Sequence, residues 1–360
     1  MLTIIINKGY GEGMTLHRAA LALLSSSLLV VAGCSATEQG DGSEAPTSDQ
    51  AAAPAVVEGP SVVVTTTILG SVVGNILSCA VGSDASMTVV MPIGADPHDF
   101  QPSSEQVAAM STAELVVANG LFLEEGLVSV LESLETDGVN VLHVAELVDP
   151  LPFAEDHGDD HADEHAHDHG DDHADEAADE HAHGDFDPHF WFDMERMALV
   201  AELVGSELAT ATGVSDYEDC GVSVATEIRS AEADVIAALQ AVPEESRILV
   251  TDHDAFGYFA DRYDFHVAGV VIPGGSTLAD PSSRELAELV EVIERENVPA
   301  IFANTATSSD VVTSLAAEIG RDIHVVALFV GSLGGPGSGA EDYTSMMVLN
   351  ASLIADALTD

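Results

Sequence analysis

Short β-branched runs alternate with longer segments of helical periodicity along most of this chain, and that alternation limits its fold more than any other feature. The runs are SVVVTTTIL (61–69), MTVVM (87–91), ELVVAN (114–119), VNVLHV (139–144), RILVT (247–251), HVAGVVI (266–272), PAIFAN (299–304) and IHVVALF (323–329). Strands separated by helices read as α/β units. They fall into two sets of four, so the expected class is α/β with two doubly wound lobes, each built on a mainly parallel four-stranded sheet. With 360 residues and 46% hydrophobic content, the chain is long enough for a core in each lobe.

Helix starts are legible between the strands. Ser103 with Gln106, and Ser282 with Glu285, stand three residues apart after a proline, the spacing of a capping box. The tripeptide Pro-Ser-Ser occurs at both places, at 102–104 and 281–283. That repetition reads either as two lobes of like plan or as coincidence. Residues 215–241 are helical in pattern despite Gly221, long enough to bridge two lobes or to pack along one. The expected layout is a first lobe over 61–214, a helix over 215–241 and a second lobe over 242–360.

The amino end reads as an address. From Met14, an Arg18 start, an apolar run from Ala19 to Ala32 and the ending Val31-Ala32-Gly33-Cys34 resemble a bacterial lipoprotein signal over 1–33, with Met14 as an alternative start. On that reading Cys34 is lipidated and anchors the protein to the outer face of the cytoplasmic membrane. An ordinary cleaved signal is the other reading. Residues 34–60, rich in Gly, Ser, Ala, Pro and acids, suit a flexible tether. Cys79 and Cys220 are then a candidate disulfide in an oxidising compartment, a pairing that spacing alone leaves open.

Nine basic residues against 62 acidic ones give a formal charge of −53. Such a surface repels nucleic acid and attracts cations. Fifteen of the acids lie within a loop over 155–187, where His157, His161, His165, His167, His169, His173, His181 and His183 are interleaved with them. Nothing in 157–183 is apolar enough to repay the entropy of ordering. Imidazoles and carboxylates at spacings of two to four residues make weak, interchangeable sites for divalent ions, and an acidic solubilising linker is the plainer alternative.

Three further histidines sit where strands end, the place at which doubly wound sheets bind ligands. His98 lies in VMPIGADPHDF, His189 in DPHFWFD and His253 in ILVTDHDAFGYF. Each has a neighbouring acid able to orient its imidazole: Asp99, Asp187, and Asp252 or Asp254. The repeated Asp-Pro-His stiffens the backbone ahead of two of them. His143, His266 and His324 fall inside strand-like runs and read as structural. Phe190, Trp191, Phe192, Phe256 and Tyr258 read as walls of a cleft. The glycines of 331–339 lack the lysine and helix that a phosphate loop needs.

GADPHDFQPS, DPHFWFD, TDHDAFGYFA and YTSMMVLNASLIADAL, in that order over residues 61 to 360, resemble the zinc and manganese family of solute-binding proteins of bacterial ABC importers. The resemblance implies two α/β lobes joined by one long helix, with a metal ion in the cleft between them. It assigns His98 and His189 to the first lobe and His253 to the second. It makes the His-rich insertion a feature of the zinc-selective branch. The manganese branch has a carboxylate where His253 stands, and three imidazoles suit zinc better than the harder manganese ion.

The chain departs from that pattern at the fourth ligand. Gly331 stands where many members have an aspartate, and Pro97 where other zinc members have a glutamate. Water, Glu124 or a histidine from the loop is left for the position. The expectation is therefore a monomeric, lipid-anchored extracytoplasmic receptor, not an enzyme, that delivers Zn(II) to a permease powered by a separate ATPase. A manganese receptor and a surface adhesin or metal-buffering lipoprotein are the alternatives. A zinc hydrolase with an open water position is the remotest.

Overall fold

The computed structural model describes residues 59–81, 86–153, 184, 186–319 and 321–359. Cys34, the signal and tether readings, and the histidines of 157–183 lie outside the described residues.

Two sheets organise the chain. The first takes β1 (Ser61–Val64), β2 (Ser86–Val89), β3 (Leu115–Ala118) and β4 (Val141–His143), interleaved with α1 (Thr67–Val81), α2 (Ser104–Ser111) and α3 (Val128–Thr136). Helices α4 (Met194–Thr212) and α5 (Asp216–Leu239) follow. The second sheet takes β5 (Ile248–Thr251), β6 (His266–Val270), β7 (Ala300–Asn304) and β8 (His324–Leu328), interleaved with α6 (Gly257–Tyr263), α7 (Ser283–Glu296) and α8 (Asp310–Glu318), before the terminal α9 (Tyr343–Thr359). Every neighbouring pair is parallel, in the orders β2-β1-β3-β4 and β6-β5-β7-β8. One permutation serves both lobes.

The repeated Pro-Ser-Ser occupies equivalent places in that plan, ahead of α2 and α7, each between the second and third strands of its lobe. Both capping boxes form: Ser103 accepts from the Gln106 N–H and Ser282 from the Glu285 N–H, with each N3 side chain reaching back to the cap N–H. The run at 61–69 behaves differently from its expected single strand. β1 stops at Val64 and α1 begins at Thr67, because the Thr66 hydroxyl accepts the Leu69 N–H and turns the chain into a helix.

Helix α5 spans 24 residues, about 36 Å at 1.5 Å per residue. The stretch from Asp216 to Arg229 is tied to the first lobe. Cys220 is disulfide-bonded to Cys79 of α1 with a Cα–Cα separation of 5.8 Å, and Arg229 pairs with Glu195 and Glu202 of α4. Further along, Glu232 accepts from Arg262 of α6 in the second lobe. Gly221 allows α5 and α4 to touch backbone to backbone: a Cβ there would lie 2.6 Å from the Ala201 carbonyl, and one on Gly205 would lie 2.6 Å from that of Tyr217.

One continuous core joins the lobes, running from Val62 and Val117 through Phe190, Trp191, Phe192, Phe256 and Phe259 to Phe302 and Leu328. The aromatic residues are therefore packing, with Phe192 stacked on Phe256 at 4.6 Å. Their polar atoms bridge as well. Trp191 Nε1 donates to the Val330 carbonyl, and Tyr343 donates to the Trp191 carbonyl. Tyr258 donates to the Asp187 carbonyl and accepts the Leu151 N–H.

Candidate metal centre

Loops at the carboxyl ends of both sheets face each other, and each carries a histidine toward the meeting point. His98 follows β2, His189 precedes α4, and His253 follows β5 by two residues. All three are buried, at 3%, 1% and 1% exposure, and one nitrogen from each lies within 4.8 Å of the others. They form the one such group of three or more His, Cys, Asp or Glu ligand atoms among the described residues. His98 Nε2 and His189 Nε2 stand 3.3 Å apart. Two imidazoles on a tetrahedral zinc ion, with Zn–N about 2.0–2.1 Å, place their nitrogens about 3.3–3.4 Å apart.

The backbone reason for the two Asp-Pro-His motifs is now visible. Asp96 Oδ1 accepts the His98 N–H at 3.1 Å, and Asp187 Oδ1 accepts the His189 N–H at 2.9 Å. Each aspartate thus folds its own chain into an Asx turn that presents the histidine two residues on. Asp252 Oδ1 instead accepts the N–H of the adjacent His253, at 2.9 Å.

Two of the three rings are oriented through Nδ1, by Asp187 at 2.7 Å for His189 and by Asp252 at 2.9 Å for His253. This leaves their Nε2 atoms for the centre. Asp99, expected beside His98, has no such part in the described hydrogen bonds; the acid nearest His98 Nδ1 is Glu125, at 3.5 Å. The two Asp–His pairs hold their protons differently. Burial raises the Asp187 carboxyl to about 7, only partly offset by the His189 backbone N–H, and burial also drives His189 well below its usual value. Around Asp252 burial pushes the same way, but the His253 ring and the N–H of Asn304 outweigh it and the carboxyl is lowered. Burial likewise pulls His253 down, and the hydrogen bond and charge of Asp252 overcome it, so that its net shift is upward.

Glu124 lies outside the group formed by the three histidines. Its carboxylate takes the Thr65 hydroxyl at 2.6 Å and the N–H groups of Asn119 and Gly120 at 2.7 and 3.1 Å, which fixes it between β1 and β3. It serves the site indirectly, because Asn119 also donates to the Pro188 carbonyl just ahead of His189. His143, His266 and His324 lie on β4, β6 and β8 outside the cluster, with His143 Nε2 3.2 Å from Glu135. Sequence reasoning missed Asp96, Glu125, Ser276 and Thr277. Ser276 donates to Glu125 Oε1, and Thr277 donates to Asp96 Oδ2. Only Asp96 had a usable signal, its place in the motif; the others are distant in sequence from the histidine they surround.

Two α/β lobes with three histidines converging from both form a group able to hold a metal ion, as a metal-binding solute receptor requires. Residues 62–357 match the family described as ZnuA, zinc-uptake complex component A, periplasmic. The chain belongs to this family, the metal-binding substrate-binding proteins of ABC transporters, which are receptors rather than enzymes. It is 26% identical over 333 residues to the manganese-binding lipoprotein MntA of Halalkalibacterium halodurans, covering 92% of this chain and 95% of that one. It is 27% identical over 310 residues to the zinc-binding protein TroA of Treponema pallidum, covering 84% and 91%. The solved structure of that periplasmic zinc-binding protein superposes with a TM-score of 0.68 at 27% identity, covering 84% of this chain and all of the other. Among the described residues no helix is long and apolar enough to cross a membrane.

Proposed function

We propose that the protein captures Zn(II) between its lobes, through His98, His189 and His253, and delivers it to an ABC permease driven by a separate ATPase. The observation that carries this reading is the donor set: three buried imidazoles within 4.8 Å, with no carboxylate in the group among the described residues. Neutral nitrogen ligands favour zinc over manganese. In the same reading Cys34 carries the lipid, residues 34–60 are the tether, and a monomer works outside the cytoplasmic membrane. Residues 61–214 and 242–360 act as the two metal-binding lobes, with 215–241 linking them. The histidines of 157–183 concentrate zinc beside the cleft, and water or one of those histidines completes the coordination.

Manganese is the second reading, favoured by the similarity to a manganese-binding lipoprotein over nearly the whole chain. Calorimetric competition between the two ions on a chain lacking 157–183 tests the choice. Zinc binding at one tight site, undisplaced by excess manganese, is the expected result; displacement by manganese overturns it. Loss of the tight site on deletion would instead assign the loop a primary role. A permease and an ATPase encoded beside the gene support import over an adhesin or metal-buffering role.

A further inference from the structure

His98 differs from the other two histidines in what stands behind it. His189 and His253 each have an aspartate within hydrogen-bond reach of Nδ1, whereas His98 Nδ1 is buried and makes no hydrogen bond among the described residues. A histidine that ligates through Nε2 is normally held by an acceptor on Nδ1–H. The carboxylate oxygen facing that nitrogen is Glu125 Oε1, at 3.5 Å, from the short 3-10 turn Glu125–Leu127 that follows β3. A side-chain movement of well under 1 Å brings that pair to the usual N–H···O distance of about 2.9 Å.

The same Glu125 oxygen is held from the opposite lobe. Ser276, in the loop between β6 and α7, donates to Glu125 Oε1. The next residue, Thr277, donates to Asp96 Oδ2, and the other oxygen of Asp96 accepts the His98 backbone N–H. Two consecutive hydroxyls of the second lobe therefore reach across the cleft to one histidine of the first. One grips the acid facing its ring and the other grips the acid shaping its backbone. Both hydroxyls are within reach only while the lobes are together.

We propose that Ser276 and Thr277 are an interlobe clasp acting on His98, and that Glu125 is the positioning residue that accepts His98 Nδ1–H when the ion is bound. Glu125 does not touch the ion. Its carboxylate fixes the tautomer and direction of the His98 ring, and Ser276 aims that carboxylate, so ion retention and lobe closure strengthen each other. This inference deepens the zinc-capture reading and rests on it.

The test is the rate at which zinc leaves the full chain into an excess of chelator, compared for the unsubstituted protein, Glu125→Ala, Ser276→Ala and the double variant. Loss of an outer partner of a metal-bound histidine weakens binding by about 10–100-fold. Glu125→Ala is expected to release zinc at least about tenfold faster, Ser276→Ala more modestly so, and the double variant no faster than Glu125→Ala, because Ser276 acts through Glu125. Glu125→Gln, which keeps an acceptor oxygen, restores part of the retention. Any shift of the metal-free melting temperature from loss of the Ser276–Glu125 hydrogen bond should be small and should not rank the four variants in the order of their release rates, as a merely structural role would. Unchanged release from Glu125→Ala, or effects of the two substitutions that multiply independently, overturns the clasp. His98→Ala run alongside separates the two failures: retention of tight zinc by that variant rejects the site itself.

Discussion

Gly331 of the second lobe lies directly against the Pro97 ring of the first, so close that a Cβ on Gly331 would come within 2.6 Å of Pro97 Cδ. These are the two positions at which the family resemblance leads one to look for a carboxylate ligand. Neither position carries a carboxylate in this chain, and the contact between them is apolar. An aspartate at 331 alone has no room. Gly331→Asp is therefore expected to weaken zinc binding, while Pro97→Ala with Gly331→Asp gains manganese affinity relative to zinc, since a hard oxygen donor is added. Competition titrations with both ions read the ratio.

The acids behind the histidines supply a second expectation. Asp187 and Asp252 hold His189 and His253 through Nδ1 at 2.7 and 2.9 Å. Asp187→Asn and Asp252→Asn should each lower zinc affinity by about 10–100-fold while leaving the fold intact. Asp252→Asn should be the worse tolerated in the metal-free protein, because Asp252 also accepts the Asn304 N–H at 2.8 Å. Calorimetry with circular dichroism checks both statements.

Affinity should depend on pH with a definite sign. In the metal-free protein His253 holds its proton to above its ordinary 6.5, and the Asp187–His189 pair gives up a proton near the value of about 7 to which burial raises Asp187. Zinc needs a neutral His253 and an ionised Asp187 accepting from the His189 ring, so both protons leave on binding. Falling pH stabilises the protonated, metal-free form and affinity falls with it. Well below these values the loss approaches about 100-fold per pH unit, two protons at about tenfold each, and it lessens as pH rises through them. Calorimetry in buffers of different ionisation enthalpy counts the protons; equal affinity at pH 8 and pH 6 would contradict the assignment.

The closeness of α4 and α5 yields a stability prediction in which two effects compete. Replacing a helical glycine by alanine normally gains about 1 kcal/mol. At Gly221 the new methyl meets the Ala201 carbonyl at 2.6 Å, backbone that cannot swing aside. Overpacking of this kind costs about 1–3 kcal/mol, so Gly221→Ala should be net destabilising. Chemical denaturation of the metal-free protein measures it. Replacing Cys79 and Cys220 together by alanine should cost about 2–5 kcal/mol by the same measurement, toward the upper end because the bond closes a loop of 141 residues.

What was legible in the sequence follows from which interactions are local. Seven of the eight strands lie within their β-branched runs and β2 begins one residue early at Ser86, and both capping boxes formed, because alternation and a three-residue cap are properties of a few adjacent residues. The run at 61–69 misled for a local reason too: Thr66 and Thr67 carry strand propensity, yet the Thr66 hydroxyl starts a helix. Gly221 read as a flaw in a helix because its purpose, contact with α4, involves residues sixteen or more positions away. The three histidines could be chosen from motifs and resemblance. Their partners could not: Asp99 was adjacent and wrong, whereas Glu125 is brought to His98 by the β3 turn and Ser276 by the other lobe.

The central claim is that His98, His189 and His253 hold one ion between the lobes. The most direct measurement is a crystal structure of the zinc-loaded protein with anomalous data collected on both sides of the zinc absorption edge. The account predicts a single strong peak in the cleft, about 2.0–2.1 Å from one nitrogen of each of these three imidazoles. A peak elsewhere, or one in the cleft to which His253 is not bound, would contradict it.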